Sequence, residues 1–390
     1  MFNIYNMFYR SISKNIKESL VKFKAIALIG PRQSGKTTIA RSELKPDSYF
    51  NLELPDVREF ALRDPKSFLM NCQGITVLDE IQRAPTLVSY LQVFIDEPTD
   101  QRKWILTGSN SFSLSDQISQ SLAGRIRIFK VLPLAYNELP NQLAKNDLDE
   151  QLWTGLYPRI YNENLEPHDW LGSYLETYVE KDVRSVLQVE NAALFDRFLR
   201  LSAGRTGQLL SASSLATEVG VTQPTITRWL SVLESSFIIY RLQPHFRNFN
   251  KRIIKSPKIY FYDTGLLCYL LRIQTPTQLR THPLRGFIFE NWIITELMKT
   301  YLNTGKEAPF YFWRDQHGHE VDLVIDHGEQ LELYEIKSGL TPDVNWVNGI
   351  NWLADLQGST GGTVIYGGSE QLAIKNVQFK GWQFVLGYSS

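Results

Sequence analysis

Nine consecutive residues, Gly30-Pro31-Arg32-Gln33-Ser34-Gly35-Lys36-Thr37-Thr38, carry the spacing G-x-x-x-x-G-K-[ST] of a phosphate-binding P-loop. Gly30 and Gly35 allow the backbone to curl so that its N–H groups face phosphate oxygens. A helix starting behind the loop adds partial positive charge at its N-terminus. Lys36 is placed to reach the β- and γ-phosphates, and the Thr37 hydroxyl to ligate Mg²⁺. The chemistry such a loop supports is capture of a nucleoside triphosphate.

A second set follows in Ile75-Thr76-Val77-Leu78-Asp79-Glu80, where four β-formers end in two carboxylates, the Walker B pattern. Asp79 is expected to hold Mg²⁺, directly or through water. Glu80 is expected to polarise the water that attacks the γ-phosphate. A polar side chain after Lys103–Thr107, either Ser109 or Asn110, is a candidate to sense the γ-phosphate or orient water; the alternative is a turn cap.

A third constellation lies near the end of the chain. Glu320–Ile325 and Leu331–Lys337 read as two strands joined by a turn. Alternate strand residues share a face, so Glu335 and Lys337 point the same way, and pairing brings Asp322 beside Glu335. Two carboxylates and a lysine at one spot suit a metal-dependent phosphodiesterase: Asp322 and Glu335 on Mg²⁺, Lys337 on the attacking water, Glu290 from the preceding helix completing the site. A solvated polar face is the alternative. The most basic stretch, with His245, Arg247, Lys251, Arg252, Lys255 and Lys258 interleaved with Phe246 and Phe249, suits a phosphate backbone; an ATPase lid or a protein-contact module is the alternative.

The elements that position these residues alternate. Lys24–Ile29, Ser48–Leu54, Ile75–Asp79, Lys103–Thr107 and Ile126–Leu132 read as strands. Arg10–Lys22, Thr37–Leu44, Pro55–Asn71, Thr86–Glu97 and Ser113–Ala123 read as helices between them. The fold class is therefore α/β with a parallel sheet. Leu171–Val189 and Phe195–Ala203 are helical. Ser213–Glu218, a turn at Gly220 and Pro224–Leu233 form a helix-turn-helix, with Phe237–Leu242 and Ile259–Tyr262 as wing strands. Pro276–Pro283 reads as a linker, Gly286–Tyr301 as a helix, and Phe310–Arg314 and Thr363–Tyr366 as further strands.

Gly30–Thr37, Leu78-Asp79-Glu80, Leu106–Asn110 and Leu122-Ala123-Gly124-Arg125 together resemble an AAA+ ATPase, more narrowly the bacterial and archaeal ATPases that carry a C-terminal domain of unknown function. The resemblance implies ATP hydrolysis at a subunit interface, with ATP and Mg²⁺ bound and Arg125 as a finger reaching the neighbouring subunit's ATP; an arginine paired with its own helix end is the alternative. Gly155-Leu156-Tyr157-Pro158 resembles the segment that related ATPases set against adenine, with a simple turn as the alternative, and Glu180-Lys181-Asp182-Val183-Arg184 matches the same pattern. The Asp322, Glu335 and Lys337 region is similar to the PD-(D/E)xK restriction-endonuclease-like fold.

The expected organisation is an AAA+ core over 1–135, a helical connector over 136–205, a winged helix over 206–275 and a nuclease-like α/β domain over 276–390. Of 390 residues, 43% are hydrophobic and 21% charged, enough for packed cores. Lys+Arg and Asp+Glu are both 41, which excludes a uniformly basic nucleic-acid binder but not a local patch. Cys72 and Cys268 have no metal-ligand spacing, so a reducing cytoplasm is expected. No signal peptide or membrane span is expected. The leading functional expectation is a ring-forming, hexameric ATPase acting on branched or broken DNA. The alternatives are an ATP-gated, Mg²⁺-dependent nuclease and a protein-binding signalling switch.

Overall fold

The computed structural model describes residues 8–108, 121–145, 147–178, 191–245, 256–357 and 361–387. The chain divides into two compact units. One is Met1–Leu134 with Ser235–Phe237 and Leu302–Lys306, and the other is the remainder from Ala135 onward.

The first unit is built on five strands, β1 (Ala25–Ile29), β2 (Ser48–Asn51), β3 (Ile75–Asp79), β4 (Lys103–Gly108) and β5 (Ile126–Lys130). Their order is β2-β3-β4-β1-β5 and every pairing is parallel, as the alternation of strands and helices requires. All five residues of β1 are buried. Ile26 and Leu28 join Ile12, Ile16 and Leu20 of the helix Ile12–Lys22, together with Ile39, Ala40, Leu44, Val77, Ile105 and Phe129, in one apolar core. A strand buried on both faces of a parallel sheet is apolar throughout, which is why β1 does not alternate. Because β1 lies between β4 and β5, the P-loop leaves the sheet at its carboxyl edge, the edge that also carries the ends of β3 and β4.

Two helices depart from the sequence expectation. The span Pro55–Asn71 is broken into Pro55–Arg63 and Pro65–Met70. Pro65 lacks an N–H and pushes Asp64 out of helical geometry; Asp64 then caps the second helix, accepting from the Ser67 N–H at 3.0 Å. The helix behind the P-loop is α-helical only over Lys36–Thr38 and widens to π geometry over Ile39–Glu43.

The second unit begins with the helices Leu148–Thr154, Pro158–Asn162, Pro167–Tyr174 and Ala192–Ala203. The helix-turn-helix is formed by Ala212–Val219 and Gln223–Ser235, with Gly220 left-handed at φ 89° between them. Trp229 of its second helix packs edge-on against Phe195 and Phe198. Strands β6 (Ile239–Pro244) and β7 (Lys258–Phe261) pair antiparallel, as wing strands would. They do not stop there. β6 also runs parallel to β8 (Phe310–Arg314), Gln243 opposite Tyr311. This joins them to β9 (Glu320–Asp326), β10 (Leu331–Lys337), β11 (Gly362–Tyr366), β12 (Leu372–Ile374) and β13 (Val377–Gly381) in one sheet of order β12-β13-β11-β10-β9-β8-β6-β7. The open edge of β8 needs backbone partners, and β6 supplies them. The stretches 206–275 and 276–390, expected as separate domains, therefore share a sheet. The expected linker contains a short helix, Pro276–Arg280. Among the described residues no helix is long and apolar enough to cross a membrane.

Candidate active site

The P-loop folds as its glycines require. A Cβ on Gly30 would lie 2.1 Å from the Val131 carbonyl oxygen, and Gly35 sits at φ 96°. No other residue meets the first constraint, and few meet the second. The buried Lys36 ammonium donates to the carbonyls of Pro31 at 2.6 Å and Gly30 at 3.0 Å. Burial pulls its pKa down to about 8, against the upward pull of the Glu80 and Asp79 carboxylates. Ser34 is fully buried, yet its Oγ has no hydrogen-bond partner among the described residues. An orphaned hydroxyl inside a loop of this shape fits an anionic group bound there.

The Thr37 hydroxyl donates to Asp79 Oδ2 at 3.1 Å. Asp79 ends β3 and is buried. The Tyr49 hydroxyl, from β2, donates to Asp79 Oδ2 at 2.5 Å, and the Thr107 hydroxyl, from β4, donates to Oδ1. Three neighbouring elements thus fix one carboxylate. A hydroxyl beside a carboxylate, at the mouth of an anion-binding loop, is a donor set of hard oxygens that fits Mg²⁺. Glu80 follows at φ 57°, a left-handed turn for a non-glycine residue. Its N–H donates to Thr107 Oγ1 at 3.2 Å, and its carboxylate accepts from the Gln82 side-chain amide. The Thr107 hydroxyl and the Gln82 amide hold Glu80 at this turn.

Sequence reasoning missed three residues here. Arg10 is buried, and its guanidinium donates to the carbonyls of Ser34 at 2.6 Å and Leu132 at 2.8 Å, pinning the loop from the N-terminal side. Tyr49 and Thr107 hold Asp79. Thr107 lies at the end of the strand after which the sequence places a polar sensor, but the candidates for that role, Ser109 and Asn110, fall outside the described residues. Arg125 is on the surface, with its guanidinium paired to Asp96 at 2.6 and 2.9 Å. Its side chain is 35% exposed, so it is paired within its own chain without being buried. Pro158 lies in the second unit and opens the helix Pro158–Asn162. The preceding Gly155 is required by packing, since a Cβ there would lie 2.4 Å from Asp263 Oδ1.

In the second unit the structure brings Glu290, Asp322, Glu335 and Lys337 together. Lys337 Nζ lies 2.5 Å from Glu335 Oε1 and 3.5 Å from Asp322 Oδ2. Asp322 Oδ2 also accepts the Ile336 N–H at 2.8 Å, fixing β9 against β10. Burial pushes the Glu335 carboxyl up to about 8, with repulsion from Asp322 adding to it, and burial pushes Glu290 up to about 7. The surprise is Lys258. Read in the sequence as part of the basic stretch, it points inward and is 3% exposed, with Nζ 3.1 Å from Glu290 Oε1, 3.9 Å from Asp322 Oδ1 and paired also to Glu320. Burial lowers its pKa, but the three carboxylates outweigh that and raise it. Among the described residues no group of three or more His, Cys, Asp and Glu side chains is arranged to hold a metal ion. As they stand, Glu290, Asp322 and Glu335 do not fit the expected second metal site, because lysine ammoniums already pair with all three, although Glu335 Oε2 is left buried and without a hydrogen-bond partner among the described residues. His245 is likewise turned inward, onto Asp326 at 2.9 Å. Arg247, Lys251, Arg252, Lys255 and the stretch Glu180–Arg184 fall outside the described residues.

A family described as an AAA domain matches residues 22–140, and two domains of unknown function, DUF8612 and DUF4143, match 145–277 and 285–385. The uncharacterized protein MJ1637 of Methanocaldococcus jannaschii is 23% identical over 316 residues, covering 66% of this chain and 64% of that one. A Walker-type ATPase of Pyrococcus abyssi aligns in three dimensions at 16% identity and a TM-score of 0.44, over 68% of this chain and 96% of that one. The uncharacterized protein Rv2008c of Mycobacterium tuberculosis is 32% identical over 341 residues, covering 86% of this chain and 75% of that one. With the loop, the Asp79 carboxylate and the parallel sheet in place, this chain, an AAA domain followed by two domains of unknown function, belongs to the same family as Rv2008c.

Proposed function

We propose that this chain binds ATP with Mg²⁺ at Gly30–Thr38 and hydrolyses it, as a ring-forming, hexameric motor acting on DNA. The observation that carries the hydrolytic reading is the 3.1 Å contact between Thr37 Oγ1 and Asp79 Oδ2 beside a held Glu80. The loop N–H groups and the Lys36 ammonium bind the phosphate chain and offset its charge. Thr37 and Asp79 would hold Mg²⁺, which when bound would supply Lewis-acid neutralisation of phosphate oxygens. Glu80 takes the proton of a water whose oxygen attacks the γ-phosphorus as the bond to the bridging oxygen breaks. Arg125, exposed on its own subunit, is the residue that would leave Asp96 to stabilise charge in a neighbour's site.

The DNA reading draws on the helix-turn-helix, whose second helix carries exposed Thr227 and Arg228. A second reading, a switch that engages a protein, draws on the equal counts of 41 acidic and 41 basic residues and on the inward turn of Lys258 and His245. The test is phosphate release with no DNA and with duplex, single-stranded or four-way DNA. Hydrolysis lost in Glu80→Gln and stimulated by DNA supports the first reading. Hydrolysis indifferent to every DNA, with none bound at low salt, removes DNA and leaves the switch. No hydrolysis by the unaltered chain defeats both.

A further inference from the structure

Four carboxylates from three elements converge in the second unit: Glu290 from the helix Arg285–Asn303, Glu320 and Asp322 from β9, and Glu335 from β10. Such a gathering is unfavourable unless compensated, because like charges repel strongly where water is scarce. In a hydrolytic metal site the compensation comes from a divalent ion. Here it comes from the chain. Lys258 arrives from β7 on the far edge of the sheet, and its Nζ reaches Glu290, Glu320 and Asp322. Its ammonium lies 5.5 Å from the centre of the Phe312 ring. The Tyr260 hydroxyl, two residues on along the same strand, donates to Glu290 Oε1 at 2.5 Å. Arg314 pairs with Glu320 at 3.2 Å, and Lys337 with Glu335 and Asp322. Even with every carboxyl ionised, four acidic groups face three basic ones, and a divalent ion added to this set would carry the charge past neutrality.

We propose that Lys258 is a tethered cation, its ammonium standing where a divalent ion would otherwise bridge Glu290 and Asp322, so that this sheet is held by ion pairs and is independent of metal. The strand β7 that delivers Lys258 is the same strand that extends the sheet beyond β6. The joining of the wing strands to the C-terminal sheet and the filling of its acidic cluster are therefore one structural event. A metal-dependent cleavage at Asp322 and Glu335 does not occur while Lys258 is in place.

The test is Mn²⁺ binding to the full, nucleotide-free chain, followed by electron paramagnetic resonance. The natural chain and Asp322→Asn should bind the same number of Mn²⁺ ions. Lys258→Met should bind one more per chain, with its thermal unfolding temperature restored towards the natural value as Mn²⁺ is added. Lys258→Met combined with Asp322→Asn should lose that extra ion. A Mn²⁺ site in the natural chain that Asp322→Asn abolishes overturns the proposal, as does a folded Lys258→Met chain that gains no ion. If Lys258→Met does not fold, the comparison of the natural chain with Asp322→Asn still decides.

Discussion

The Thr37 hydroxyl and the Asp79 carboxylate meet at 3.1 Å although they stand 42 positions apart in the chain. Tyr49 and Thr107 meet the same carboxylate from the strands on either side of β3. Asp79 is therefore held by three hydroxyls before any ion or phosphate arrives, a preorganised acceptor of the kind that favours catalysis.

This arrangement makes Tyr49 a positioning residue. A hydrogen bond to a charged group is worth about 1.5–3 kcal/mol, so removing one of three should loosen Asp79 without abolishing its charge. Tyr49→Phe should raise the Mg²⁺ concentration needed for half-maximal hydrolysis by roughly tenfold, at 1.4 kcal/mol per decade, with the rate recovered at saturating Mg²⁺. A lowered rate that excess Mg²⁺ does not restore contradicts it.

Lys36 predicts a pH dependence of nucleotide binding. Burial lowers its pKa to about 8, and phosphate oxygens beside the ammonium raise it again. Binding therefore takes up a proton when Lys36 is neutral beforehand. ATP affinity should hold steady below pH 8 and fall by about tenfold per pH unit above it. Calorimetry near pH 8.5 in buffers of different ionisation enthalpy should show proton uptake, and Lys36→Met should show none from this group.

Arg10 holds the loop through two carbonyls, at 2.6 and 2.8 Å. Arg10→Met removes both charge-assisted bonds and leaves buried carbonyls unpaired, a loss of roughly 3 kcal/mol or more. Thermal unfolding should fall by several degrees, and ATP should recover part of the loss by mass action. A variant as stable as the natural chain would show that the loop does not depend on Arg10.

Arg125 should behave in the opposite way. An exposed ion pair contributes about 0–1 kcal/mol, so Arg125→Ala should leave the unfolding temperature nearly unchanged. If it serves a neighbouring subunit, hydrolysis should drop by about 10³-fold, and chains carrying Arg125→Ala mixed with Glu80→Gln chains should regain some activity. Equal hydrolysis with and without Arg125 rules out that role.

The acidic cluster predicts a second pH effect. Burial raises Glu335 to about 8 and Glu290 to about 7 in the folded chain, whereas both titrate in the ordinary carboxylate range when unfolded. The folded state thus holds more protons between those limits. The stability this contributes is complete below the ordinary carboxyl range and is lost as pH rises through about 7 to 8. Thermal unfolding of the natural chain should shift downward from pH 6 to pH 9, and Glu335→Gln should flatten that shift. A transition that rises with pH over this interval would contradict the assignment.

The sequence by itself determined the elements whose information is local. The P-loop spacing, the apolar run ending in Asp79 and Glu80, and the helix-turn-helix around Gly220 each lie within a few contiguous residues, and period and turn chemistry read them directly. It also placed Asp322, Glu335 and Lys337 on one spot, because adjacent strands joined by a short turn leave little freedom of register. Tertiary structure alone decided what reaches across. Arg10 closing on the loop carbonyls, Tyr49 and Thr107 gripping Asp79, β6 pairing with β8, and Lys258 entering the acidic cluster all join residues from separate elements. Such contacts follow from how strands order themselves in a sheet, and no periodicity along the chain records them. The exposed or buried fate of a charge shows this most plainly: Lys258 stands in the sequence among basic residues suited to solvent, and the pairing of its strand turns it into the interior.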